Sequence, residues 1–229
     1  MEGLRAMEKE QLIPIILSTT PFLNRQKEIT KFLGIPVDGT RSEMIKKLKK
    51  KGFSATPTFG DFVLEGKFKG NDVYLYMFDY KDKVFSVYVR DKKPISEADI
   101  KERYHSICRK FKYSSHYISI LNFKIPCGEN LSYEMQENKK KYSATFYQAI
   151  SKIDIDKVKE ETKSIISKTT KQIENLEEID KECENFILGY ALDSLEKKSV
   201  KVRIVELDEE YYITISFDNR YNMPELSLS

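Results

Sequence analysis

The chain has 229 residues, long enough for one sizeable core or two small domains. Its 39 basic and 36 acidic residues leave a net charge of +3, which excludes a protein that meets a polyanion over its whole surface; any nucleic-acid site has to be a local patch. Three cysteines, Cys108, Cys127 and Cys183, with no CxxC spacing, exclude a disulfide framework and a zinc knuckle and fit a reducing compartment.

Residues 1–29 form an N-terminal segment with one short apolar run, Leu12 to Leu17. It is too short to span a membrane, Glu8 and Glu10 precede it and Pro14 interrupts it. A secretory signal wants a basic start and a longer apolar region, so the chain reads as not exported: cytoplasmic, or within a virus particle. Next comes FLGIPVDGTRSEMIKKLKKKGF, Phe32 to Phe53. Asp38 and Gly39 make a turn, and Thr40 and Glu43 stand at capping-box spacing. Met44, Ile45 and Leu48 share one helical face, and Gly52 closes the helix. Six cations lie between Arg41 and Lys51; they fill the solvated face and crowd the C-terminal end, where the helix dipole favours them. The competing reading is a nucleic-acid contact through Arg41, Lys46, Lys47, Lys49, Lys50 and Lys51.

After Gly52 the period changes from helical to alternating. Phe62, Leu64, Gly66 and Phe68 fall on one side of a strand, with Val63, Glu65 and Lys67 on the other. Gly70-Asn71-Asp72 turns the chain, and Val73 to Tyr80 is apolar on both faces until Asp79, as a central strand is. Lys81-Asp82-Lys83 turns it again into a third strand, Val84 to Arg90, completing an antiparallel meander. Ser96 and Asp99 give a second capping box, and Ile100, Tyr104, Ile107, Cys108 and Phe111 predict an amphipathic helix over 97–111. Tyr117 to Ile125 reads as a strand, residues 131–140 as a linker or helix turn, and Lys141 to Gln148 as a strand.

Residues 152–197 hold no proline and one glycine, Gly189. Apolar or small positions step by three and four from Ile155 to Tyr190, a heptad seam diluted at Thr162, Thr169 and Gln172. One helix here would be about 60 Å long. A helical hairpin turning near 168–170 is the alternative. Two strands follow, with Val200, Val202 and Ile204 together on one and Tyr211, Ile213, Ile215 and Phe217 together on the next. Asp208-Glu209-Glu210 is the turn between them.

The opening FLGIPVDGT with its KGF close resembles a large family of uncharacterised, usually exported proteins of gut anaerobes, whose members read F-x-G-I-P-(I/V)-D-G-T and then L-x-x-K-G-F. That family ends on Y-E-D-K-x-N; here FDNRYN stands in its place, with Asn219 and Arg220 departing and Asn222 matching. The likeness covers residues 30–112 well, and 133–148 and 199–222 loosely. It implies a small antiparallel α+β domain and no enzyme. The export signal is eroded, and residues 151–198 look like an insertion between two strands.

Catalytic motifs do not emerge. The two histidines, His105 and His116, form no metal-binding pair, and no phosphate-binding loop or nucleophile elbow is present in the sequence. Cys108 and His105 are neighbours on a helix, where a buried thiol and a structural imidazole are the simpler reading. The aromatic strand YLYMFDY has the composition of a base-stacking platform, but a half-covered sheet needs such rings for packing. The sequence therefore predicts an α+β fold: an antiparallel sheet of five or six strands, helices on one face, and a long inserted helix or helical hairpin. Residues 30–150 and 199–229 make the domain, and 151–198 the insertion. The expected function is a non-enzymatic protein-interaction or assembly module, extending to a component of a phage particle. It would act without a cofactor or metal and have no catalytic residues. Ile155, Val158, Ile165, Leu176, Ile179, Phe186 and Tyr190 would carry helix-to-helix packing with a protein partner or a second copy.

Overall fold

The structure, a computed structural model, describes residues 29–149, 192, 195–208 and 210–223. The chain divides into two compact units: residues 29–147 with 198–229, and residues 1–28 with 148–197. Of the second, residues 192 and 195–197 are helical. The rest of this subsection concerns the first.

Two short strands, β1 (Lys31–Phe32) and β2 (Ile35–Pro36), pair antiparallel across Leu33 and Gly34, both at positive φ. Helix α1 (Arg41–Lys49) starts where the sequence places it. The Thr40 hydroxyl accepts from the Glu43 amide, and the Glu43 carboxylate accepts from the Thr40 amide. Gly52, at φ +89°, turns the chain out of the helix. Strands β3 (Ser54–Thr56), β4 (Gly60–Phe68), β5 (Asn71–Tyr80) and β6 (Lys83–Asp91) follow, then helix α2 (Glu97–Lys112). The hairpins of the meander turn on Lys69-Gly70 and Lys81-Asp82. All four residues have positive φ, as two-residue turns with the twist of the flanking strands require. Strand β7 (Tyr117–Ser119), helix α3 (Leu131–Gln136), β8 (Ser143–Gln148), β9 (Lys198–Leu207) and β10 (Glu210–Asn219) complete the order, with a three-residue 3-10 turn over Arg220–Asn222.

One eight-stranded antiparallel sheet runs β3-β4-β5-β6-β10-β9-β8-β7. A single row of side chains crosses it through paired positions: Leu64, Leu75, Val89, Ile215, Val202 and Ala144. Every member of that row is buried. Against this face lie Met44 and Leu48 of α1 and Ile100, Tyr104, Ile107, Cys108 and Phe111 of α2, in one apolar cluster. Phe32 is fully buried at its centre, its ring 5.0 Å from Phe217 and 5.3 Å from Phe68. Burying a side chain of this size contributes about 1.5–3 kcal/mol.

This corrects the α+β expectation of five or six strands with a long inserted helix. The architecture is mostly β, with eight strands in the main sheet and two in the small one. The described helices are short, of nine, sixteen and six residues besides the 3-10 turn. The main-sheet strand that the sequence does not announce is β3, whose three residues are too few for an alternating pattern to register. The strand expected over Tyr117 to Ile125 stops at Ser119. The second capping box is half made: Ser96 accepts from the Asp99 amide, but the Asp99 carboxylate takes the Ser96 hydroxyl.

The seam over 152–197, with Ile155, Val158, Ile165, Leu176, Ile179, Phe186 and Tyr190, lies outside the described residues. Its attachment points are described. Tyr147 of β8 pairs with Ser199 of β9, so the chain leaves and re-enters the sheet at one place.

Candidate functional site

The IPVDGT turn and the FDNRYN segment meet in space and hold each other. Asn219, 1% exposed, donates from Nδ2 to the Val37 carbonyl at 2.8 Å. Asn222 donates to the Asp38 carboxylate and to the Val84 carbonyl, each at 2.9 Å. Asp38 also accepts from the Gly39 amide, the Gly39 carbonyl accepts from the Val84 amide, and the Thr30 hydroxyl donates to the Asp218 carbonyl. The IPVDGT turn and the FDNRYN end thus form a clasp between chain segments some 180 residues apart. Its chemistry is backbone satisfaction, which gives these residues a structural role.

The basic helix divides into two sets. Arg41 donates to the Asp79 carboxylate at 3.0 Å and to the Met77 carbonyl at 3.1 Å, and its guanidinium lies 5.4 Å from the centre of the Phe62 ring. Lys49 pairs with Asp61 at 2.8 Å. Both are therefore tied to the sheet. Lys46, Lys47, Lys50 and Lys51 are exposed and form no ion pair among the described residues.

Beside this helix the sheet carries exposed rings. Phe62 is 74% exposed and Phe59 60%. The Phe62 amide bonds to the Phe59 carbonyl, which keeps the two residues on one bend at the start of β4. On the neighbouring strand Phe78 is 49% exposed and Tyr80 39%. Alternation puts Phe62 on the core side, as the sequence implies, but its position at the strand's start leaves it uncovered. No signal in the sequence marks that ending. In YLYMFDY the alternation divides the rings from the core: Leu75 and Met77 are buried, while Tyr74, Tyr76 and Phe78 point to the opposite face. There the guanidinium of Arg90 lies between Tyr74 and Tyr212, 5.6 and 5.8 Å from their ring centres.

The candidate thiol and imidazole do not form a dyad. Cys108 is fully buried, and burial pushes its thiol up to about 12. Its hydrogen-bond partner is the buried Tyr104 hydroxyl. A thiol so placed is almost entirely protonated at neutral pH and packs as an apolar group. His105 accepts at Nε2 from the Ile125 amide at 3.0 Å, and its pKa is lowered by burial and by Arg109 and Lys124. Cys127 is exposed. Among the described residues, no three His, Cys, Asp or Glu side chains converge as metal ligands. No described helix is long and apolar enough to cross a membrane.

Two of the described carboxylates, Asp91 and Glu129, hold segments together. Asp91, 2% exposed, receives both Nε (2.9 Å) and Nη2 (2.5 Å) of Arg103, together with the Ile213 amide at 3.2 Å. It joins α2 to β6 and β10. Glu129 accepts from Lys140 and from the Tyr142 hydroxyl, and these bonds lower its pKa. No family model, curated protein or solved structure matches the chain.

Proposed function

We propose that the chain is a non-enzymatic protein-interaction or assembly module, and that the corner formed by Phe59 and Phe62 beside α1 is its docking surface. The observation that carries this reading is the exposure of Phe62 and Phe59, 74% and 60%, on an ordered bend of a long strand. Rings left in water cost free energy that a partner's apolar surface recovers, and aromatic anchors dominate such interfaces. The flank is basic: Lys46, Lys47, Lys50 and Lys51 follow on the helix whose Arg41 and Lys49 reach Phe62 and Asp61. The partner is therefore an acidic protein segment with one or two apolar anchors.

The test is anisotropy with a labelled acidic peptide bearing leucine and phenylalanine anchors. Saturable binding is expected, and Phe59→Ser with Phe62→Ser should remove it without lowering the melting temperature. Equal binding by wild type and the serine variant overturns the reading. Self-association through the 152–197 seam, and a place in a phage particle, extend the same proposal. Light scattering on the full chain and on a chain lacking 152–197 tests them; a monomer at every concentration in both removes them.

A second reading, nucleic-acid binding, keeps Lys46, Lys47, Lys50 and Lys51 and is weakened by the internal engagement of Arg41 and Lys49. Affinity for single-stranded or duplex probes that falls steeply with salt supports it, and no shift at low salt removes it.

A further inference from the structure

A groove of about 500 Å³ runs between α2 and the segment 123–125. This volume lies within the range of small-molecule sites. The hydrogen bond from the Ile125 amide to His105 Nε2 holds its two walls together. Because Nε2 is the acceptor, the neutral imidazole carries its proton on Nδ1.

Three cations converge on one end. Arg109 and Lys112 come from the last turn of α2, and Lys124 comes from the opposite wall. Among the described residues none of the three has an ion pair. At the other end Lys101 pairs with Glu97 and donates to the Glu129 carbonyl, and Glu102 adds a carboxylate to the lining, so the lining cations without an ion pair among the described residues are Arg109, Lys112 and Lys124. The helix dipole accounts for Arg109 and Lys112 at a helix C-terminus. It does not account for Lys124, which belongs to a different segment. The same end holds two rings. Tyr113 is 80% exposed at the rim, and the half-buried Phe123 packs on the core with the Lys112 ammonium 5.8 Å from its centre.

We propose that this groove binds a small aromatic phosphate monoester, with the phosphate between Arg109 and Lys124 and the ring against Phe123 and Tyr113. A guanidinium and an ammonium from opposite walls match a tetrahedral dianion, and a planar group covers both rings at once. This site is separate from the Phe59–Phe62 corner and independent of that reading.

Phenyl phosphate is the probe, followed by NMR on the full chain. The sequence has two histidines, so the His105 ring signals are resolved from those of His116. His105 should shift with saturation at a Kd of about 1 mM or tighter while His116 stays still. Arg109→Ala with Lys124→Ala, both exposed positions, should weaken binding at least about tenfold. Lys46→Ala with Lys47→Ala should leave it unchanged. Inorganic phosphate should bind at least about tenfold more weakly, since it buries no ring. The proposal is overturned by a His105 signal that does not saturate, by equal weakening from the Lys46 and Lys47 changes, or by inorganic phosphate binding as tightly as phenyl phosphate.

Discussion

Asn219 is the position where the clasp between the two ends of the domain is most exposed to test. Its Nδ2 satisfies the Val37 carbonyl, and both residues are buried, 1% and 0% exposed. Asn219→Ala leaves that carbonyl without its side-chain donor and out of reach of water, a loss of about 1–3 kcal/mol. The Asn219 Oδ1 is itself buried without a partner among the described residues, so alanine also removes a desolvated acceptor. The net expectation is therefore the lower half of that range, about 1–2 kcal/mol. Asn219→Asp separates the donor from the volume. A carboxylate there faces the Val37 carbonyl with no proton to give, so its folded-state pKa rises above the ordinary value of about 3.9. The aspartate variant then approaches the stability of wild type in acid, where the protonated acid donates. It loses stability as pH rises above about 4, until at neutral pH it is weaker than the alanine variant. Urea unfolding of the three proteins at pH 4 and pH 7 measures both effects. An alanine variant within about 0.5 kcal/mol of wild type at both pH values refutes the clasp as a stabilising element.

Three further outcomes are expected. Arg103→Ala strands the buried Asp91 carboxylate with the Ile213 amide as its remaining donor and should cost about 3–5 kcal/mol in urea unfolding, whereas Arg41→Ala, at a half-exposed pair, should cost no more than about 1 kcal/mol. Iodoacetamide at pH 8 should modify Cys127 in the native protein and leave Cys108 unmodified until denaturant is added, read by peptide mapping; rapid native labelling of Cys108 contradicts its placement. Lys69 sits over the Phe111 ring at 4.8 Å, and burial with the nearby Lys110 and Arg103 lowers its pKa to about 8 from 10.5. The unfolded chain then binds more protons between those values, so this group makes stability rise with pH across that window, and Lys69→Met should remove the rise.

Much of the first unit is written locally. Thr40 and Glu43 start α1 through atoms three residues apart, and Gly52 ends it through its own backbone freedom. The alternation in β9 and β10 groups the side chains that are buried, Val200, Val202 and Ile204 on one strand and Tyr211, Ile213, Ile215 and Phe217 on the next, whereas Val73 to Tyr80 reads as apolar on both faces and buries only one. The Cys108 thiol is legible as buried because it lies on the stripe of Ile100, Tyr104, Ile107 and Phe111. The sequence also supplies the FLGIPVDGT and FDNRYN segments, but nothing local says that they touch.

Tertiary structure decided what depends on pairs distant in the chain. β3 is a strand because an edge was there to pair with, and three residues cannot announce that by periodicity. Arg41 and Lys49 look like members of one basic row, yet Asp79 and Asp61 claim them, while Lys46, Lys47, Lys50 and Lys51 stay in water. Phe62 sits on the core side of its strand by parity and stands exposed because the core ends before it. Lys124 faces Arg109 across a groove held by a bond between residues twenty apart. Helix caps, turns and strand faces follow from forces within a few residues, which a sequence carries in order. Which cation finds a carboxylate, which ring finds cover and which edge finds a strand follow from three-dimensional proximity, which the order of residues does not contain.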